Sequence, residues 1–202
     1  TNRSAIGLLY EMWGEKVFDL PAFAPLVGCS DGERRNLNAM LRREFRSPRC
    51  SSAGRLFDAV ASIVGLRHRC AFEGQAAMEL EFAIGGIESD EKYEFEIRGS
   101  VVDWERMIKE ILMDVERGRE IGAIAAAFHN TLAEMILNLA MREAQDRVVL
   151  SGGCFQNKYL TERVHRVLTR QGFRVYIHRR VPPNDGGLAL GQAVAALQQA
   201  GG

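Results

Sequence analysis

The sequence predicts an α/β chain, helical over its front and built of alternating strands and helices over its back. Three observations carry this. Residues 1–90 repeat apolar positions at three- and four-residue steps, the spacing of helix faces. "KYEFEI", residues 92–97, sets Tyr93, Phe95 and Ile97 against charges, the period of a half-buried strand. The tail then alternates "RVVLS", a helical stretch, "FRVYIH" and a second helical stretch, which marks an α/β layer. By this pattern the chain divides into a helical segment over 1–90 and an α/β lobe over 91–202.

The elements follow in order. "RSAIGLLYEMWG" spaces Ile6, Leu9, Tyr10 and Trp13 along one helix, with Gly14 as its stop. "VFDLPAFAPLVG" carries two prolines and reads as a connection. Asp31 is expected to cap a second helix running through Glu44, with Leu37, Met40 and Leu41 facing inward. "SPRCSS" breaks the chain, and Ser51 or Ser52 then caps a third helix, "AGRLFDAVASIVGL", that ends at Gly65. "EGQAAMELEFAI" is a fourth helix, stopped by Gly85 and Gly86. After the strand at 92–97, "SVVDW" continues it or pairs with it. Two long helices are expected over about 103–116 and 119–144. The tail reads strand "RVVLS", helix 155–171, strand "FRVYIH", loop "RRVPPNDGG" and helix 188–199.

At 202 residues, 47% hydrophobic, the chain is long enough for one large core or two small ones. Lys and Arg total 26 against 26 Asp and Glu, so no global field draws nucleic acid or an anionic membrane. No uninterrupted apolar run approaches the roughly 20 residues that span a bilayer, and no export signal is evident. The expectation is a soluble, cytoplasmic protein with reduced thiols and no nucleic-acid or membrane partner. Cys29, Cys50, Cys70 and Cys154 form no CxxC pair, and His68, His129, His165 and His178 no HxxxH or HExxH spacing. A metal site built from Cys and His alone is therefore not expected. The chain begins at Thr1 without an initiator Met and reads as a fragment of a longer multidomain protein.

Two glycine turns stand out. "VLSGGCFQN" runs from a strand through Gly152–Gly153 toward a helix. Glycines let the backbone bend tightly and approach a ligand, and a following helix start offers N–H groups to an anion. A turn that merely turns explains the pair equally well. Cys154, at that helix start, is either a nucleophile or a small core residue; bulky Phe155 behind it favours the core. "VPPNDGGLALGQA" is the second turn, where Asp185 either caps the next helix or presents a carboxylate to a hard cation beside phosphates. Two such turns after neighbouring strands meet at one sheet edge, where open α/β sheets bind ligands. Elsewhere, Arg55 and Asp58 lie three apart on a packed helix and form an ion pair on the plain reading. Glu73 and Gly74 open the fourth helix, and Glu79 and Glu81 are expected to face solvent. His129, beside Phe128 on a long helix, reads as packed or half-exposed rather than catalytic.

Taken together, "SSAGRLFDAVASIVGL", "FEGQAAMELE", "FHNTLA", "VVLSGGCFQNKYL" and "VPPNDGGLALGQA" resemble, in this order, the hydrogenase maturation carbamoyltransferase family HypF. The resemblance runs from about Ser51 to the C-terminus and matches the C-terminal half of that family's carbamoyltransferase domain. That domain is similar to the proteins that install threonylcarbamoyl on tRNA adenosine. The resemblance implies an actin/Hsp70-like, ribonuclease H-like lobe. It also implies a mechanism: carbamoyl phosphate and ATP give carbamoyl-adenylate and pyrophosphate, and the carbamoyl group passes to the C-terminal cysteine of the partner HypE for cyanide ligand synthesis. Carried onto this sequence, Gly152, Gly153 and Asn157 would line the nucleotide. Asp58 and Gly74, with Glu73 adjacent, would meet the ribose or the carbamoyl-bearing end. Asp185 would be the one ligand here to a divalent metal ion.

The family's histidine pair at the metal and its first phosphate loop fall upstream and have no match in this sequence. The isolated chain is therefore expected not to turn over carbamoyl phosphate. Two other functions fit less of the pattern: an actin-like kinase lobe acting on a hydroxyl or acid, and a non-catalytic module that docks HypE.

Overall fold

The computed structural model describes residues 1–20 and 24–200, so Pro21 of the expected connection lies outside the described residues. The first helix, α1 (Asn2–Trp13), ends at Gly14 with φ +62°, and short 3-10 turns follow at Gly14–Asp19 and Ala24–Leu26. Ser30, not Asp31, caps α2 (Asp31–Arg42). Its hydroxyl accepts from the Glu33 N–H, and the Glu33 carboxylate accepts from the Ser30 N–H at 2.8 Å. That reciprocal box requires a hydroxyl at the cap and a Glu three residues on, so Asp31 becomes the first helical residue. The helix stops at Arg42, short of Glu44, because Glu44 and Arg46 adopt left-handed backbone at φ +50° and +51°. Its inward face, Leu37, Met40 and Leu41, is only half-buried.

Ser52 caps α3 (Ala53–Ile63) by accepting from the Arg55 N–H. The next helix, α4 (Gln75–Phe82), begins later than "EGQAAM" suggested. Gly74, at φ +79°, occupies its N-cap and leaves Glu73 outside the helix. Strand β1 (Glu96–Arg98) pairs antiparallel with β2 (Val101–Asp103) across a two-residue turn at Gly99 and Ser100. The alternation expected at 92–97 holds in burial only at its start, with Tyr93 buried and Glu94 exposed; Phe95, Glu96 and Ile97 are all half-buried, and only the end of the stretch joins a ladder. Then come α5 (Glu105–Glu116), α6 (Ile121–Arg142), β3 (Arg147–Leu150), α7 (Lys158–Arg170), β4 (Arg174–Ile177) and α8 (Leu188–Ala200).

Packing divides the chain within α6, into units Thr1–Phe128 and His129–Gly202, whereas the sequence pattern divides it near residue 90. The reason lies in α5: it turns Met107, Ile108 and Ile111 inward and packs on α3, joining the hairpin's neighbourhood to the helical front. The first unit's core gathers Ile6 and Leu9 from α1, Phe57, Val60 and Ile63 from α3, Leu80 from α4, and the start of α6. Phe57 and Phe128 meet edge to face at 5.1 Å.

By length and composition alone α6 could cross a membrane, although the sequence shows no unbroken apolar run; 67% of that stretch is buried, as in a core helix. In the second unit β3 and β4 form a two-stranded parallel ladder. Leu160, Val164 and Leu168, one face of α7, are buried there. Burial of such side chains stabilises by about 1.5–3 kcal/mol each.

Gly122 marks a tight approach in the first unit. A Cβ there would stand 2.5 Å from the Ala83 carbonyl oxygen and 2.8 Å from Ile87 Cδ1. Since backbone cannot yield as a side-chain tip can, Gly122→Ala is expected to destabilise by about 1–3 kcal/mol, read from the urea midpoint. An unchanged midpoint would show that α6 does not press on residue 83.

Candidate functional site

The second unit sets its two glycine bends side by side. In the parallel register Leu150 pairs with Ile177, so both strands end at the same level. Gly152 leaves β3 at φ +103°, ψ 159°, a conformation that a side chain strains, and its N–H donates to the Pro183 carbonyl at 2.7 Å. One backbone bond therefore ties the first bend to the second. Ser151 and His178, the residues just past each strand, share a hydrogen bond 3.0 Å long between Oγ and Nε2. The sequence reading passed over this pair; their equal offset past two in-register strands was the available signal. In the second bend a Cβ on Gly186 would lie 3.0 Å from Pro182 Cγ, and one on Gly187 3.1 Å from Val181 Cγ1. There the glycines serve close packing.

The first bend does not run straight into a helix. A 3-10 turn, Gly153–Gln156, intervenes, and Asn157 then caps α7. Asn157 Oδ1 accepts from the Leu160 N–H at 2.7 Å, which consumes one of the helix-start donors counted on for an anion. The Asn157 amide is buried, and its Nδ2 lies 2.9 Å from His129 Nε2. What the bend does expose is backbone: Gly152 and Gly153 are solvent-accessible. The N–H groups of Gly153 and Cys154 make no backbone hydrogen bond to a described residue.

Asp185 does not cap the second bend. Asn184 does so, its Oδ1 accepting from the Gly186 N–H at 3.0 Å. The Asp185 carboxylate is left exposed, with no hydrogen bond or ion pair to a described residue. Among the described residues no three His, Cys, Asp or Glu side chains cluster as a metal site, so Asp185 has no companion carboxylate, imidazole or thiol set around it. Cys154 is half-buried, and burial pushes its thiol above the ordinary cysteine range, opposite to what a thiolate nucleophile requires. His129 is wholly buried.

In the first unit Asp58 is buried on α3 and pairs with Arg55 at 2.9 Å, while Glu73 and Gly74 are exposed ahead of α4. Glu79 is not the solvent-facing residue the sequence suggested. It is half-buried and accepts from Arg67 at 2.7 Å, and that guanidinium holds its carboxyl below the usual range. Glu81 is half-buried as well. An open groove of about 600 Å³ along α7, edged by His165, Arg166 and Arg170, includes none of the expected site residues.

Comparison with known proteins places these features in a family. A family model described as "Carbamoyltransferase, Kae1-like Domain, second subdomain" matches residues 1–192. The carbamoyltransferase HypF of Synechocystis sp. is 32% identical over 98% of this chain and 27% of its own length. A solved structure of full-length HypF in its phosphate- and nucleotide-bound form superposes with a TM-score of 0.83 at 39% identity. The match covers 98% of this chain and 26% of that one. A more distant relative, the tRNA N6-adenosine threonylcarbamoyltransferase of Sorangium cellulosum, is 27% identical over 79% of this chain and 47% of its own length. The chain thus spans about a quarter of the length of these two HypF proteins.

A raised thiol is neutral near pH 7, so Cys154 is expected to alkylate last, after the exposed Cys50 and Cys70, and to gain on them as pH rises. Mass spectrometry of iodoacetamide-treated protein reads this directly. Preferential labelling of Cys154 at neutral pH would restore the nucleophile reading.

Proposed function

The chain belongs to the HypF carbamoyltransferase family, in the second subdomain of its Kae1-like domain, and from that premise we propose that it is the nucleotide- and metal-binding part of a carbamoyl-transfer enzyme of nickel–iron hydrogenase maturation. The single observation that carries the nucleotide reading is the bond from the Gly152 N–H to the Pro183 carbonyl. It holds an exposed glycine bend and an unengaged carboxylate in one frame at the carboxyl ends of two parallel strands. The lobe is read as actin-like and ribonuclease H-like on the strength of that parallel pair and the family.

The residues divide the work by chemistry. The accessible backbone at Gly152 and Gly153, with the Gly153 and Cys154 N–H groups, suits a phosphate of ATP or of carbamoyl-adenylate. Asp185 suits one position on a divalent ion; its other ligands would come from outside this chain. A cation so held would neutralise phosphate charge. In the transfer step the HypE cysteine thiol gives its proton to water, its sulfur bonds to the carbamoyl carbon, the bond from that carbon to the phosphate oxygen breaks, and AMP leaves with the electron pair. Donors at the bend would meet the charge that gathers on that phosphate. Carbamoyl phosphate and ATP are the substrates, and HypE is the acceptor. Asp58, Glu73 and Gly74 are assigned to the ribose or carbamoyl end by family position.

Gly153→Ala is a clean probe, since beyond its own adjoining backbone nothing lies within 4 Å of the added methyl and its φ is outside the left-handed region. Both Gly153→Ala and Asp185→Asn are expected to weaken magnesium–ATP binding about tenfold, read by calorimetry, with the melting temperature unchanged. Equal affinity in all three proteins would remove the bend from the nucleotide site. The isolated chain, with one metal ligand, is also expected to show no carbamoyl-phosphate-dependent exchange of pyrophosphate into ATP. Exchange above that of a control without protein would show that these residues suffice.

A further inference from the structure

We infer that His129 is a positioning residue for the Gly152–Gly153 bend, acting through Asn157 as a neutral imidazole whose proton sits on Nδ1. Its functional consequence rests on the nucleotide reading of the bend; its structural content does not. The argument begins with a group that cannot be turned around. The Leu160 N–H can only donate, so the Asn157 atom 2.7 Å from it is the amide oxygen. The other terminal atom is then the NH2 group, which can only donate. It lies 2.9 Å from His129 Nε2, which must accept. An accepting Nε2 has no proton, and a neutral ring therefore carries it on Nδ1.

The placement explains why a histidine stands there. Ala125, Ala126, Ala127 and Phe128, just before it on α6, are buried and apolar, and His129 itself is fully buried. An imidazole in that setting is costly unless its nitrogens are engaged. Asn157 joins the 3-10 turn to α7, and it is held from two sides, by α7 at Leu160 and by α6 at His129. The Thr161 hydroxyl donates to the Phe155 carbonyl at 2.9 Å, and the Tyr159 hydroxyl donates to Asn130 Oδ1 at 3.2 Å. The bend is thereby pinned at its start, by Gly152 to Pro183, and at its end, by Asn157. Removing the Nε2 acceptor leaves a buried NH2 without its partner, and Asn157 can regain one only by leaving its capping position.

The test compares His129→Phe with His129→Gln in the full 202-residue chain. Gln offers an oxygen to the Asn157 amide; Phe fills the space and offers none. Near neutral pH, imidazole nitrogen NMR shifts of the unaltered protein are expected to report the neutral Nδ1-protonated form. In His129→Phe, amide exchange at Phe155 and Asn157 should speed up about tenfold, while amides in the middle of α5 hold their rates. His129→Gln should restore most of that protection. Magnesium–ATP affinity should follow the same order, Phe weakest.

Should His129→Phe fail to fold, Asn157→Asp decides instead. It keeps an oxygen for the Leu160 N–H but opposes Nε2 with an acceptor, so His129 should take up a second proton, visible in its nitrogen shifts. An Nε2-protonated ring in the unaltered protein, exchange that rises uniformly through the second unit, or a Gln variant no better than Phe would each overturn the inference. If the unaltered chain fails to bind magnesium–ATP, the nucleotide reading falls, while the exchange pattern still decides whether His129 positions the bend.

Discussion

Everything at the candidate site depends on the in-register parallel pairing of β3 with β4. Parallel strands that begin together end together, so whatever follows each strand is delivered to the same level. Here Arg147 opposes Arg174 and Leu150 opposes Ile177. The ladder is closed at both ends by loop backbone. Arg174 donates to the Asp146 carbonyl at 2.8 Å before the pair begins, and Gly152 donates to the Pro183 carbonyl at 2.7 Å after it ends. The second bond needs a residue that tolerates φ +103°, which is why a glycine stands at the exit. A register slip by one residue would also turn Leu150 away from the buried face.

Much of this was legible in the sequence because periodicity and stop signals are local. The apolar spacing of α1 and the stops at Gly14 and Gly65 need no knowledge of the rest of the chain. So does the strand–turn logic around "VLSGG" and "VPPNDGG". What escaped was competition among adjacent residues able to do the same job. Ser30 and Asp31 can each cap a helix, as can Asn184 and Asp185, and composition alone does not rank them. In the first case Glu33 settled it by reaching back to the Ser30 N–H. In the second, the Asn184 amide reached the Gly186 N–H first, and the carboxylate was left outside. The strand at 92–97 fell short for a related reason. Alternation describes burial, whereas a ladder also needs a partner at each rung, and the hairpin offers one only from Glu96 onward. The depth of His129 was hidden because a partner that engages its ring, Asn157, lies 28 positions away in the sequence.

The polar groups near the bends therefore fall into two sets, and the division bears on function. Asn157, Asn184, the Pro183 carbonyl and the Leu160 N–H are consumed by the fold, each in a hydrogen bond that keeps a bend in shape. The Gly153 N–H and the Asp185 carboxylate are not. In the free protein water satisfies such groups, so leaving them open costs the fold little, and a ligand can take them without breaking any internal bond. A site assembled from consumed groups would have to unmake structure to bind; one assembled from leftover groups on a pinned frame is already organised. Cys154 belongs to neither set. Its thiol is half-buried and held toward the neutral form, so it offers the bend shape rather than reactivity.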